Sequence, residues 1–539
     1  MFIAKKINLK KNIGTVGTHE QNESEDGAHH RGYADSSQEN SSQEEEKDKS
    51  SYRQIFKATS LFGGVQVINI LVGVVRVKLI AILLGATGVG IMGLFNAPLQ
   101  LIISVAGLGI SLSAVRDISA VHGKGDKVGL AKIITVLKRW TWFTGALAAI
   151  ITLSLAPLLS KWSFGNSEYT WAFVWLSITL LLQAISDGQK AILQGTRRLQ
   201  DLAKAGVIGS VLGLVTSIPL YYFYGLKGIV PSFLITGVTV LFLTWYFSRK
   251  VKIEKVSLSR KETWVHGTGM AKLGISMTLA GFIATLTTYI LNAYISNRGG
   301  VEQVGLYNAG WGVVGQYTGI VFTAMATDYF PRLSAIHADN LQMKKLVSQQ
   351  AETALLIMAP LLALLIVTMP FVIRLLYTAD FLPIVMFANL TVLGMQFKAV
   401  SWSMGYVFLA KGDGRLFLIL EVVSGSIMLG MNLLFYQMYG LNGLGISFIL
   451  TFLMGGSMSF VILKRKYQFG FPKKFYGRFL ISYSFVVVSF LTVFMTDDFM
   501  KYVVGIILLL LTSYYSYYKL NQLMDIKQLV LNKIKKRIN

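Results

Sequence analysis

The chain has 539 residues, 53% hydrophobic and only 14% charged, with a formal net charge of +24 and no cysteine. That balance excludes an ordinary soluble domain, and it excludes disulfides, thiolate metal sites and cysteine nucleophiles. The basic excess lies between apolar stretches, where it sets topology and meets anionic headgroups, so it does not describe a nucleic-acid surface.

Residues 1–52 are a separate material. The run "NESEDGAHHRGYADSSQENSSQEEEKDKS" is polar and nearly free of large apolar residues, which predicts a disordered cytoplasmic tail with no signal-peptide core. His29 and His30 in that tail are not a metal site, and no metal or cofactor is expected elsewhere. From Leu61 onward, apolar segments of about 20 residues, enough to cross a hydrocarbon core of about 30 Å, follow one another some fourteen times. They are drawn at about 59–84, 89–115, 140–160, 170–189, 205–224, 228–247, 273–297, 305–330, 352–378, 384–410, 416–438, 441–463, 479–496 and 501–520. Backbone polar groups have no water to bond in lipid, so the fold class is an all-α integral membrane bundle.

The connections alternate in charge. Those at Arg116–Arg139, Lys190–Lys204, Arg249–Lys272, Arg332–Lys345, Lys411–Arg415 and Lys464–Arg478 carry 28 Lys and Arg, against four on the other side (Lys161, Lys227, Arg298, Lys501). The positive-inside rule then places both termini, including the basic tail 523–539, in the cytoplasm. The opposite loops are only a few residues long and leave no room for the catalytic loops of an outer-face glycan polymerase.

Two blocks recur. "GLFNA" (Gly93–Ala97) returns as "GLYNA" (Gly305–Ala309), and "ISAVH" (Ile118–His122) as "LSAIH" (Leu333–His337), at offsets of 212 and 215 residues. Six spans fit within that period, so two parallel six-helix lobes, 53–250 and 251–465, are expected around a pseudo-twofold axis along the membrane normal. A two-helix hairpin, 466–522, follows them.

The runs "RVKLIAILLGATGVGIMGLFNA" (Arg76–Ala97), "DYFPRLSAI" (Asp328–Ile336) and "FKAVSWSMGYVFLAKGDGRLFLILE" (Phe397–Glu421) resemble bacterial O-antigen and polysaccharide-unit flippases, within the superfamily of multidrug, oligosaccharidyl-lipid and polysaccharide exporters. The resemblance covers roughly residues 53–465. It implies a MATE-like fold, alternating access in the inner membrane, and an undecaprenyl-diphosphate-linked oligosaccharide as cargo, with membrane lipids and other polysaccharide-assembly proteins as partners. It implies no enzyme activity.

A charge near mid-bilayer costs at least about 2.5 to 3.5 kcal/mol on insertion scales. Lys398 lies in the middle of the tenth span and asks for an aqueous cavity. Arg76 and Lys78 lie in the outer half of the first span, the former at a position where the family's first helix tends to carry arginine, and Arg374 lies near the outer end of the ninth. These four, with Asn96 and Asn308 at the repeat, are the candidate substrate-binding residues; for the two asparagines a helix-capping role competes. Trp311, Tyr317 and Trp402 offer rings for sugars, with packing as the plainer use. Glu421, Asp187 and Asp328, near cytoplasmic ends, are the candidates for coupling to a proton or sodium gradient, since no phosphate-binding loop supports ATP. An acidic cavity would have suited the alternative, a cation or multidrug antiporter; the deep charges here are basic.

Overall fold

The structure is a computed structural model that describes residues 68, 70–251, 253–254 and 256–524. The polar tail 1–52, the start of the first predicted span and the basic tail beyond 524 lie outside the described residues. In chain order the helices are α1 (Ile70–Ala106), α2 (Ile110–Gly123), α3 (Lys127–Phe164), α4 (Thr170–Gly195), α5 (Leu199–Tyr224), α6 (Ile229–Ser248), α7 (Arg260–Gly299), α8 (Val301–Ala335), α9 (Asn340–Leu376), α10 (Val385–Ala410), α11 (Gly414–Tyr467), α12 (Lys473–Leu491) and α13 (Asp498–Met524).

Among the described residues, ten helical stretches are long and apolar enough to cross a membrane, against the fourteen spans expected. The difference has a simple cause. Three stretches each hold two predicted spans joined through a glycine with positive φ: Gly85 in α1, Gly225 between α5 and α6, and Gly440 in α11. A side chain at φ near +60° would clash with its own backbone, so glycine is what allows so short a connection. The α8 helix, diluted by five glycines, Asn308 and Gln316, is not among the ten.

The basic connections differ from expectation too. They are largely helical: α2 and the first turns of α3 fill much of 116–139, and α7 begins at Arg260 inside 249–272. Ser259 starts α7 with a capping box, its hydroxyl accepting from the Glu262 N–H while the Glu262 carboxylate accepts from the Ser259 N–H. Those bonds, the backbone one first, hold the Glu262 carboxyl below the usual carboxylate range.

A spacing of 215 residues relates the two halves. It pairs Gly85 with Gly300, Gly90 with Gly305 and Gly225 with Gly440. It also pairs "YGLKG" (Tyr224–Gly228) with "YGLNG" (Tyr439–Gly443), and it carries α4 onto α10, both 26 residues long. The 118/333 match obeys this spacing; the 93/305 match, at 212, is shifted by three residues. One helical turn separates the two registers, so the shifted pentapeptide kept nearly the same helix face and looked equivalent.

The halves touch along that symmetry. A Cβ on Gly90 would lie 2.0 Å from the Val301 carbonyl oxygen, and one on Gly305 would lie 1.9 Å from that of Ala86. Since 86 pairs with 301 and 90 with 305, the contact is self-complementary, as at a twofold axis. Nearby, the Lys78 ammonium donates to the carbonyl oxygens of Arg374 (2.7 Å) and Tyr377, capping the end of α9, and Asn297 Nδ2 donates to Trp162 O (2.7 Å).

Burial follows the same plan. One core runs through both halves at the charge-poor end, from Phe95 and Phe173 to Phe381 and Phe387. Toward the basic end it gives way to separate cores, one around Ile118, Leu137 and Trp140 and another around Tyr329, Phe408 and Leu463. There α7 reaches across to the first half: Arg139 Nη1 donates to Leu258 O (3.0 Å), Trp140 Nε1 donates to Thr263 O (3.0 Å), and Gly274 abuts Gly109. The hairpin α12–α13 is fixed to the second half by a mostly buried Arg478–Glu352 ion pair and by Gln396 Nε2 donating to Ser482 Oγ (3.2 Å).

Substituting Gly305→Val is expected to force α1 and α8 apart and to lower the thermal unfolding midpoint in detergent, at a cost of about 1–3 kcal/mol or more. Gly281→Val, where no atom lies within 4 Å of the added Cβ, is expected to leave it nearly unchanged.

Candidate functional site

Lys398 projects from the middle of α10 into a cavity of about 220 Å³ inside the second half. Five stripes at helical spacing line it: Thr287, Thr288 and Leu291; Tyr307, Asn308 and Trp311; Phe387, Thr391 and Lys398; Met428 and Asn432; Leu444, Phe448 and Phe452. The ammonium lies 5.3 Å from the ring centroid of Phe322, 5.7 Å from those of Trp311 and Phe452, and 5.9 Å from that of Phe448. Among the described residues no carboxylate lies within ion-pair distance of it. Four ring faces therefore stand where a counter-ion would, each worth about 0.5 to 2 kcal/mol depending on desolvation.

The other polar groups complement the cation. Asn308 lines the cavity, and its Nδ2 is buried against Gly93 of α1 without a hydrogen-bond partner, an unspent donor at the seam with the first half. Thr287, Thr288 and Thr391 each donate at 2.9 Å to a carbonyl one turn earlier, which leaves their oxygens free to accept. Asn432 Oδ1 accepts from Ser447 Oγ. The cavity thus offers a fixed positive charge and hydroxyl acceptors between aromatic faces, with an amide donor buried behind its wall, in a space that fits one polar group rather than a whole oligosaccharide.

The structure brings two of the sequence candidates, Lys398 and Asn308, to one cavity, and Trp311 joins them. The rest lie elsewhere. Lys78 is engaged with the α9 carbonyls, and Arg374, whose carbonyl it meets, is exposed. Arg76 is half-buried on α1 and outside the cavity lining. Asn96 and Asn308 do not cap helices: α8 starts at Val301 after Gly300, and Asn96 lies well inside α1, exposed. The left-handed glycines start these helices earlier than the apolar pattern suggested. Asp187 pairs with Lys190 and Asp328 with Arg332, each at 3.0 Å within its own helix and partly or fully exposed. Glu421 is half-buried near the start of α11. Trp402 packs against Phe322 and Tyr329 in the basic-end core rather than lining the cavity.

Sequence reasoning missed Asn432, Thr287, Thr391 and the cage rings Phe322, Phe448 and Phe452. The signal was present in part: Phe387, Thr391 and Lys398 are spaced to share one helix face, as are Leu444, Phe448 and Phe452. The partner of Lys398 at the 215-residue spacing is the neutral Gln183, so the charge is particular to the second half.

A multi-pass helical bundle of two matched halves with a cation in an internal cavity is the architecture of a membrane transporter. Residues 79–386, more than half the chain, match the family described as polysaccharide biosynthesis protein, and the chain belongs to that family. It is 21% identical over 370 residues to the lipid III flippase of Escherichia coli (strain K12), covering 65% of this chain and 84% of that protein. The relative from Shigella flexneri shows the same figures. Among solved structures, the lipid II flippase MurJ in an inward closed conformation superposes with a TM-score of 0.60 at 16% identity, covering 85% of this chain and 99% of that one. An inward-facing multidrug resistance MATE family transporter superposes with a TM-score of 0.59 at 15% identity, covering 74% and 94%. The fold is therefore shared with MurJ and with that MATE family transporter.

Replacing Lys398 with Met removes a charge from an apolar cage that holds no counter-ion. The expected result is an unchanged or raised thermal midpoint of the purified protein, because an ammonium without a counter-ion is costly to bury. A large loss of stability would mean that the lysine serves the fold.

Proposed function

We propose that this protein moves a polyprenyl-diphosphate-linked oligosaccharide, an O-antigen or related repeat unit, across the cytoplasmic membrane, with Lys398 receiving the anionic headgroup. The observation that carries the reading is the cavity itself: a mid-membrane cation caged by rings, beside an unpartnered amide donor. A diphosphate offers an ammonium far more than an aromatic face does, so cargo would draw Lys398 out of its cage toward phosphate. Rings and hydroxyls released by that motion suit the first sugars. The flippases among the relatives, which are not enzymes, support this reading.

The 28 to four bias in loop charge supports placing the basic end, and with it both termini, in the cytoplasm. The two lobes, 53–250 and 251–465, would then meet at the outer face through Gly90, Gly305 and Lys78, and toward the inner face their cores separate while the start of α7 stays packed on the first lobe. Release of the α7 contacts would open the carrier to the cytoplasm for loading. An ion gradient is the proposed energy source. Glu421 becomes the favoured coupling group over Asp187 and Asp328, which are already paired on helix surfaces. The positive cavity argues against the related reading of a cation-drug antiporter.

Reconstitution with a fluorescent lipid-linked oligosaccharide tests this. Lys398→Met is expected to cut translocation by tenfold or more and Lys398→Arg to retain part of it, with folding unchanged; full translocation by the Met variant would overturn the site. Because the chain has no native cysteine, a Gly93→Cys, Asn308→Cys pair can be oxidised cleanly. A Cβ on Gly93 would lie 3.2 Å from the Asn308 side-chain carbon, so the pair is expected to cross-link. Oxidation should then stop the lowered transport that remains without the Asn308 amide, and reduction should restore it to the level of Asn308→Cys alone, which should not respond to oxidant.

A further inference from the structure

The two halves diverge at one place that the cargo site does not use. At the charge-poor end of the first half, a cavity of about 680 Å³ opens between α1, α4 and α6. Ile91, Phe95, Val230 and Leu234 make an apolar floor, Trp171 and Trp175 stand at its mouth, and its charged groups are one acid, Glu168, and one base, Lys227.

The repeat shows how the cavity arises. At the paired positions of the second half, Gly445 lets α10 pack tightly on α11, with Leu390 Cβ 2.5 Å and the Phe387 carbonyl 3.0 Å from an added Cβ. In the first half Val230 replaces Gly445 and Trp175 replaces Leu390, side chains too bulky for that close approach, and the indole lies 55% exposed. The two charges are equally particular to this half: Glu168 pairs with Pro383 and Lys227 with Asn442. Both are exposed, and among the described residues neither forms an ion pair. The level is that of lipid headgroups, marked by exposed Trp162, Trp171, Tyr222 and Tyr224.

We propose that this cavity binds one zwitterionic phospholipid of the adjacent leaflet, of the phosphatidylethanolamine kind. Lys227 takes the phosphate, Glu168 takes the ammonium, and an acyl chain runs over Phe95, Val230 and Leu234 between the two indoles. The paired charges fit a headgroup with one charge of each sign. A diphosphate would meet Glu168 repulsively, and a glycan would find few hydrogen-bonding groups in a mostly apolar lining. The site does not depend on the transport reading; it depends on the outward end of the first half alone.

The test is native mass spectrometry of the full-length protein in detergent, titrated with phosphatidylethanolamine, phosphatidylcholine and phosphatidylglycerol. Wild type is expected to retain one phosphatidylethanolamine at least about tenfold more tightly than phosphatidylglycerol, with phosphatidylcholine between, because its quaternary ammonium donates no hydrogen bond. The two charges should give different signatures. Glu168→Gln should abolish the preference by weakening phosphatidylethanolamine alone, whereas Lys227→Gln should weaken all three lipids. Both residues are exposed, so folding should survive, as checked by an unchanged thermal midpoint. Equal retention of phosphatidylglycerol by wild type, variants that bind as wild type does, or displacement of the lipid by a soluble oligosaccharide would each overturn the proposal.

Discussion

A lysine ammonium half-way across a hydrocarbon layer has to be stabilised by something, and here it meets aromatic quadrupoles instead of a carboxylate. That substitution shapes the second half. Helices α8 and α11 each bring two rings to the ammonium that α10 presents, and α7 closes the chamber with Thr287, Thr288 and Leu291. A carboxylate would have quenched the charge in place. Rings hold it more weakly, so a stronger anion can compete for it, and a resting cation becomes a receptor.

The same chain segment, used twice, builds the frame around that point. Glycines at matched positions let α1 and α8 meet backbone to backbone, a contact that becomes self-complementary because both members descend from one position in the repeat. Function then comes from where the copies depart from each other. Gln183 becomes Lys398 and Gly93 becomes Asn308 in the second half; Pro383 and Asn442 stand opposite Glu168 and Lys227 of the first. The halves share their turns and their packing, and they differ in their charges.

Much of this was legible in the residues. Hydropathy and the alternation of basic loops revealed a helical membrane bundle, and the 118/333 match carried the true register. Lys398 stood out because a cation in the middle of an apolar helix has few ordinary uses. What escaped the sequence were effects that need a second helix. Lys78 looked like a site residue until the α9 carbonyls were seen against it, and the 93/305 match misled because a three-residue slip preserves a helix face. Phe322, Phe448 and Phe452 are ordinary membrane phenylalanines when read singly, and only the convergence of α8 and α11, each giving two rings, on Lys398 of α10 gives them meaning. Likewise, the helical extensions at the basic end followed from backbone hydrogen bonding that hydropathy does not report.

The most direct measurement is an experimental structure of the full-length protein in lipid with an undecaprenyl-diphosphate-linked oligosaccharide bound. The account predicts diphosphate density in contact with Lys398 Nζ, the ammonium withdrawn from Phe322, Phe448 and Phe452, and Asn308 Nδ2 engaged with the cargo. Cargo bound elsewhere while Lys398 stays enclosed by its rings would contradict it.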